Sequence, residues 1–362
     1  MAEQPVAILK NQGADFTFTI TTTTIPTIQP REVLVCLEVT GFCGTDLSLA
    51  RGHLGPCNTI LGHEGIGRIV AVGAMCEARA AAVGQRVGIG WIRDACGACP
   101  NCMSAGAGET RCTTQVFSGR DVAGTLARYA VVPERYLVPL PEEGPSELLA
   151  PIMCAGVTAY KALKLANVTP GSWIGVSGAA GGVGSLAVQY AKAMGYRTVA
   201  IDGEGGPQQR AICMEAGADV YLDYEEAEPD LRTNLLRATG GDLCAAVLVC
   251  AGAAAAYEDA LPCLAYFGVL VAVGIPPPTS KVSFHPLTLI DYGIRFVGSI
   301  TGDRRDVLEA VQFVIRGLVK PRTVLMDLVN LNNYAGQVSQ LDGKLVVRLG
   351  DEAIKKGMST CI

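Results

Sequence analysis

The sequence is short of charge, of aromatic residues and of histidine. Charged residues fill 17% of its 362 positions and the net charge is −5, so neither a nucleic acid nor an anionic membrane is an expected partner. Hydrophobic residues reach 49%, which is enough for a sizeable core and excludes a disordered chain. Aromatics are only 6%, against 43 glycines. That balance suits α/β layers, where glycine serves the turns and small aliphatic residues fill the sheet. No basic stretch followed by an apolar one occurs in MAEQPVAILK, so no secretory signal is expected. Long apolar runs are also lacking. Leu165–Ala191 and Ala260–Ser280 carry no charge, but Pro170, Pro262 and the run Pro276–Pro278 break them into buried strands and turns. Cys361 is next to last, which does not fit a prenylation box. These absences point to a cytoplasmic protein, and its length suggests about two domains.

Cysteine, in contrast, is plentiful at 14 residues. Cys96, Cys99, Cys102 and Cys112 form C-x2-C-x2-C-x9-C within one Gly-rich segment. Spacing this tight brings four thiolates onto one ion, and tetrahedral zinc is the usual occupant. Disulfides are the weaker alternative without a secretory signal. Cys36, Cys57, Cys76, Cys213, Cys244, Cys250 and Cys263 mostly sit among apolar residues and read as small core side chains.

The chain changes rhythm near Pro170. Before it, short apolar runs (Val33–Val39, Gly67–Val72, Arg86–Ile89, Ala127–Val132) alternate with turn residues, and residues 1–150 read as all-β. After it, near-continuous apolar runs predict strands at Trp173–Ser177, Arg197–Ile201, Ala246–Cys250, Gly268–Val273 and Ile294–Ser299. Helical patterns separate them at Gly182–Met194, Gln208–Ala216, Leu231–Ala238 and Ala254–Leu264, and a further helix is expected at Arg304–Arg316. This alternation predicts βαβ units and a parallel sheet. The tail, Thr323–Leu349, returns to short strands.

The α/β part carries a phosphate-binding signature. Strand Trp173–Ser177 runs into Gly178-Ala179-Ala180-Gly181-Gly182-Val183-Gly184 and then a helix. Glycines permit a tight turn and close backbone approach, and a helix N-terminus offers unpaired N–H groups to a pyrophosphate. The next strand ends at Asp202, where an acid would hold a ribose 2′-hydroxyl. Asp202, with Glu204 close behind, would repel a 2′-phosphate, so NAD is favoured over NADP. A third constellation is Cys43-Gly44-Thr45-Asp46, Gly62-His63-Glu64-Gly65 and Cys154-Ala155-Gly156. Two cysteines and a histidine suit a catalytic zinc with one open position. The separations are too long for spacing alone to decide that.

Together these motifs resemble the zinc-dependent medium-chain alcohol dehydrogenases. GAAGGVGSLAVQYAKAMG (Gly178–Gly195), APIMCAGVTAYKAL (Ala150–Leu163) and Gly317–Pro321 look especially like the fungal fermentative branch. The resemblance implies an α/β protein with a GroES-like, β-rich catalytic domain (residues 1–155 and 299–362). Into it is inserted a doubly wound, parallel-sheet Rossmann domain (156–298). It also implies a homotetramer or homodimer. Carried over residue by residue, Cys43, His63 and Cys154 ligate a catalytic zinc, and Cys96, Cys99, Cys102 and Cys112 a structural one. Asp46 orients His63, Glu64 sits behind the metal, and Thr45 receives the alcohol proton. Leu54 and Trp91 line the substrate pocket, with Ile275 nearer the nicotinamide. Gly178, Gly181, Gly182, Val183, Gly184, Asp202 and Lys344 bind NAD.

The sequence departs from the fermentative pattern at informative places. Gly44 and Pro207 replace a histidine and a lysine that touch the cofactor, and Lys344 replaces an arginine. Ser48 stands where the proton relay ends in histidine. Leu54 and Ile275 replace tryptophan and methionine, and the four-cysteine lobe is longer before Cys112. The implied reaction interconverts an alcohol and an aldehyde or ketone with NAD(H), on a substrate bulkier than ethanol. An inactive NAD-binding scaffold and an enal or enone reductase are the alternatives.

Overall fold

The computed structural model describes residues 2–77, 81–104, 108–203 and 206–350; Glu204 and Cys361 lie outside them. The described chain forms two compact units. One takes residues up to Cys154, Gly302–Ile315 and Pro321 onward; the other takes Ala155–Thr301 and Arg316–Lys320.

The first unit opens with the antiparallel pair β1 (Glu3–Lys10) and β2 (Thr17–Thr24). The long strand β3 (Glu32–Phe42) follows, and its buried positions alternate along most of its length, so one face meets the core. Helix α1 (Gly44–Ala50) comes next, then β4 (Glu64–Val72), β5 (Arg86–Ile89) and β6 (Ile92–Asp94). Strands β7 (Val116–Phe117), β8 (Tyr129–Pro133) and β9 (Val138–Pro139) complete its first half. Residues 1–150 are therefore not all-β. Besides the one-turn helices Pro100–Met103 and Ser146–Leu149, α1 interrupts the strands. A capping box starts α1: the Cys43 side chain accepts the Thr45 N–H, and the Asp46 carboxylate accepts the Cys43 N–H.

The second unit starts with α2 (Ala155–Ala166) and builds a six-stranded parallel sheet. Its strands are β10 (Trp173–Ser177), β11 (Arg197–Asp202), β12 (Val220–Asp223), β13 (Cys244–Val249), β14 (Leu264–Ala272) and β15 (Arg295–Gly298). Helices α3 (Gly184–Ala193), α4 (Pro207–Glu215), α5 (Leu231–Thr239), α6 (Ala254–Ala260) and α7 (Pro286–Tyr292) lie between them in sequence. The order β12-β11-β10-β13-β14-β15 reverses direction between β10 and β13. Such a switch point leaves a crevice at the carboxyl ends of those strands. All five residues of β10 are buried, as a central parallel strand requires.

Helix α8 (Arg304–Ile315) and the strands β16 (Thr323–Asp327) and β17 (Lys344–Arg348) return to the first unit. Its seven-stranded sheet runs β16-β17-β3-β4-β5-β9, with β8 also paired to β3. Val33, Val35, Leu37, Leu61, Ile69, Val87, Leu345 and Val347 fill its core.

Candidate active site

Three chain segments of the first unit converge on one point. Cys43 caps α1, His63 directly precedes β4, and Cys154 ends the 3-10 turn Ala150–Met153. The ligand atoms of Cys43, His63, Glu64 and Cys154 all lie within 4.8 Å of one another. Cys43 Sγ is 3.1 Å from His63 Nε2. The Asp46 carboxylate faces the other ring nitrogen, Nδ1, at 3.1 Å and also accepts the Gly62 N–H at 2.9 Å. This leaves Nε2 directed at the cysteines, the arrangement in which a carboxylate orients a metal-binding histidine. Gly62 is required here. Its φ is +98°, and a Cβ would lie 2.6 Å from Thr125 Oγ1.

The electrostatics match the geometry. A hydrogen bond from Cys154 holds the Cys43 thiol well below the usual thiol range against the cost of burial, helped by His63 and Lys344. Cys154 is correspondingly pushed up, by that hydrogen bond and by burial. Burial disfavours a charged His63, but Asp46 and Cys43 outweigh it and raise its pKa. The cluster is thus a set of mostly buried groups, with Cys154 half-buried, whose charges and hydrogen bonds shift one another's proton affinities. Two sulfurs and an imidazole nitrogen are the donors zinc prefers, and a bound cation takes the place of their protons. The residues fit zinc.

Behind them, burial pushes Glu64 up to about 7 while the Lys344 ammonium, 2.7 Å away, pulls it back. The Glu64 carboxylate occupies the space above Gly41, where a Cβ would come within 1.9 Å of Oε2. Lys344, expected as a cofactor contact, is 9% exposed and paired with Glu64. In the sequence Lys344 only heads the apolar run Leu345–Val347, before Arg348 closes the strand, and nothing in that run names Glu64 as its partner. The Trp91 ring meets the His63 ring edge-on, with centroids 5.2 Å apart. Thr45 and Ser48 are half-buried on α1, and Leu54 packs at the margin of the main core.

The four lobe cysteines also gather, their sulfurs all within 4.8 Å of one another. Cys112 Sγ is 3.6 Å from Cys96 Sγ, so the longer loop still delivers the fourth thiol. Backbone N–H groups of Cys96, Cys99 and Cys102 point at sulfurs of the set, and such bonds, chiefly from Cys102 and Thr113, lower Cys99 to about 6. No disulfide joins the described cysteines. Cys213, Cys244 and Cys263 are buried as core residues, while Cys36, Cys57, Cys76 and Cys250 are half-buried.

In the second unit, Gly178 follows β10 with φ +72°. A Cβ there would lie 2.7 Å from Ala251 N, and one on Gly184 would lie 2.0 Å from Gly178 O. The turn therefore needs glycine at both places. Gly181 N–H closes it onto Gly178 O, Gly182 lies within it, and Val183 is the N-cap of α3. Asp202 ends β11 and accepts the Ala180 N–H at 2.7 Å, so its carboxylate sits beside the turn. Ile275 is 74% exposed.

Comparison with known proteins shows the family of the chain. The alcohol dehydrogenase GroES-like domain family matches residues 29–142, and the zinc-binding dehydrogenase family matches 182–316. An alcohol dehydrogenase of Schizosaccharomyces pombe is 39% identical over 302 residues, covering 82% of this chain and 84% of its own. One from Geobacillus stearothermophilus is 37% identical over 329 residues, covering 90% and 94%. Among solved structures, the alcohol dehydrogenase of Aeropyrum pernix has a TM-score of 0.82 at 26% identity, covering 95% of this chain and 99% of that one. The chain belongs to the zinc-binding alcohol dehydrogenase family. It is an oxidoreductase acting on small-molecule alcohols and aldehydes.

Proposed function

We propose that the enzyme is NAD-dependent and interconverts alcohols bulkier than ethanol with their aldehydes or ketones. One observation carries the reading: Cys43, His63 and Cys154 meet with the Asp46 carboxylate on His63 Nδ1. These three residues would hold a catalytic zinc, and Cys96, Cys99, Cys102 and Cys112 a structural one. When bound, zinc supplies the Lewis acidity that favours the alkoxide, and the nicotinamide supplies the hydride acceptor. The rest is work for the chain. The Thr45 hydroxyl takes the alcohol proton, and Ser48, one helical turn further on, passes it outward to solvent. Glu64, held by Lys344, keeps a second carboxylate behind the ligands. The Gly178–Gly184 turn receives a pyrophosphate, Asp202 binds the adenosine ribose, and Ile275 bounds the nicotinamide.

Two residues support the finer points. An acid at position 202 disfavours a 2′-phosphate, and Leu54 leaves volume that the family's tryptophan would fill. Oligomerisation is supported by the edge strand β15, near which Tyr266, Phe267, Ile290 and Phe296 are exposed. No single helix among the described residues is long and apolar enough to cross a membrane. Initial rates with NADH and NADPH over a panel of short, branched and aromatic aldehydes test the proposal. Preference for NADPH, or for acetaldehyde over every larger substrate, would overturn it.

A further inference from the structure

The four-cysteine lobe and the Cys43–His63–Cys154 cluster are connected by two stacked rings. The Phe117 ring lies on the Trp91 indole, with centroids 4.9 Å apart and planes inclined by 21°. The same indole also meets the His63 ring edge-on. Phe117 and Trp91 also pack with Cys96, Cys99 and Cys102 around buried Ile92, Ala95, Cys112 and Tyr136. Trp91 thus meets His63 directly and packs on the same small core as the lobe cysteines, and Phe117 covers one of its faces.

Phe117 itself is held firmly. It pairs with Ile92 across β6 and β7, and its N–H donates to the Asp121 carboxylate at 2.8 Å. The next residue is clamped by Arg93, a buried guanidinium. Its Nε donates to Ser118 Oγ and its Nη2 to Ala123 O, each at 3.1 Å. Ser118 N–H in turn donates to Trp91 O at 2.9 Å. A backbone fixed at this many points sets the Phe117 ring against the indole, and the stacked ring can hold the indole in one orientation against His63.

We propose that Phe117 is a positioning residue of the active site, bracing Trp91 against His63 and tying the wall of that site to the four-cysteine lobe. This rests on the proposal that His63 binds the catalytic zinc and that the lobe binds a second. The chain has two tryptophans, so Trp173→Phe leaves Trp91 as the single fluorescent reporter. In that background, Phe117→Ala should shift Trp91 emission to the red. It should raise KM for an aromatic alcohol about tenfold, the scale set by one aromatic pair, with kcat changed less than about twofold. Phe117→Tyr should restore both values. Cys112→Ser, which opens the lobe, should shift the emission in the same direction, and adding it to Phe117→Ala should shift it no further. Unchanged emission and KM in Phe117→Ala would overturn the proposal, as would a full further shift in the double variant. A wild type that lacks zinc or alcohol turnover would instead sink the reading beneath it.

Discussion

Lys344 Nζ lies 2.7 Å from Glu64 Oε1, joining residues 280 positions apart in the chain. The pair spans β3, which separates β17 from β4, and it passes where Gly41 has no side chain to block it. Glu64 is fully buried and Lys344 nearly so. Removing one member of such a pair leaves an uncompensated charge, which costs about 3–5 kcal/mol, whereas replacing both by neutral groups is often nearly free. Lys344→Met should therefore lower the thermal midpoint sharply, and Lys344→Met with Glu64→Gln should recover most of the loss. Calorimetry on the three proteins checks this; equal losses in the single and double variants would contradict it.

Asp202 carries the cofactor preference. Asp202→Ser should narrow the preference for NAD over NADP by about ten- to a hundredfold, the range expected for one charged hydrogen bond. The ratio of kcat/KM for the two cofactors is the readout. The same variant loses the bond to Ala180 N–H, so a small fall in stability should accompany the change.

Ser48 and Leu54 set the proton path and the pocket. Ser48→His adds an imidazole, with an unperturbed pKa of about 6.5, and should introduce an inflection into the pH profile of alcohol oxidation near neutrality. Aldehyde reduction at low pH should change less, because protons are then plentiful. Leu54→Trp should depress activity on branched and aromatic alcohols and spare short ones. Equal losses on all substrates would mean that Leu54 does not face the substrate.

Asp219 gives the second unit an acid-sensitive tie. Burial alone would raise its pKa, but hydrogen bonds from Lys192 and from Thr198 N–H, both at 2.7 Å, lower it below the normal 3.8. A depressed carboxyl contributes stability that is fully present above the unfolded pKa and is lost as pH falls through the folded one. Asp219→Asn should cost about 1 kcal/mol at pH 7, since the group is partly exposed, and the gap to wild type should close below pH 4. Denaturant midpoints at both pH values test it.

How much of this was legible depended on range. Strand β10 matches the expected Trp173–Ser177 residue for residue, because a continuous apolar run ends at a glycine turn. Helix α6 ends at Ala260 rather than Leu264, since Pro262 forces a 3-10 turn over Leu261–Cys263. Helix α1 escaped notice because it is 7 residues long and its cap is a cysteine. Strand β12 has four residues of mixed polarity, too few for a period to emerge. Helix α7 was also missed, although Pro286 at its start and Gly293 at its end are ordinary helix signals. The lobe cysteines could be read from spacing because all four lie within one short segment. Cys43, His63 and Cys154 could not, since only the sheet brings them together. The Glu64–Lys344 and Trp91–Phe117 pairs depend on tertiary packing alone.

On the reading proposed for this enzyme, two separate clusters each hold a zinc ion and one of them is catalytic. Zinc per chain, measured by elemental analysis on wild type, Cys43→Ser and His63→Ala alongside alcohol turnover, tests it most directly. Two ions are expected in the wild type, and one in each variant with the fold retained and turnover abolished. A wild type without zinc, or variants that stay fully active, would contradict it.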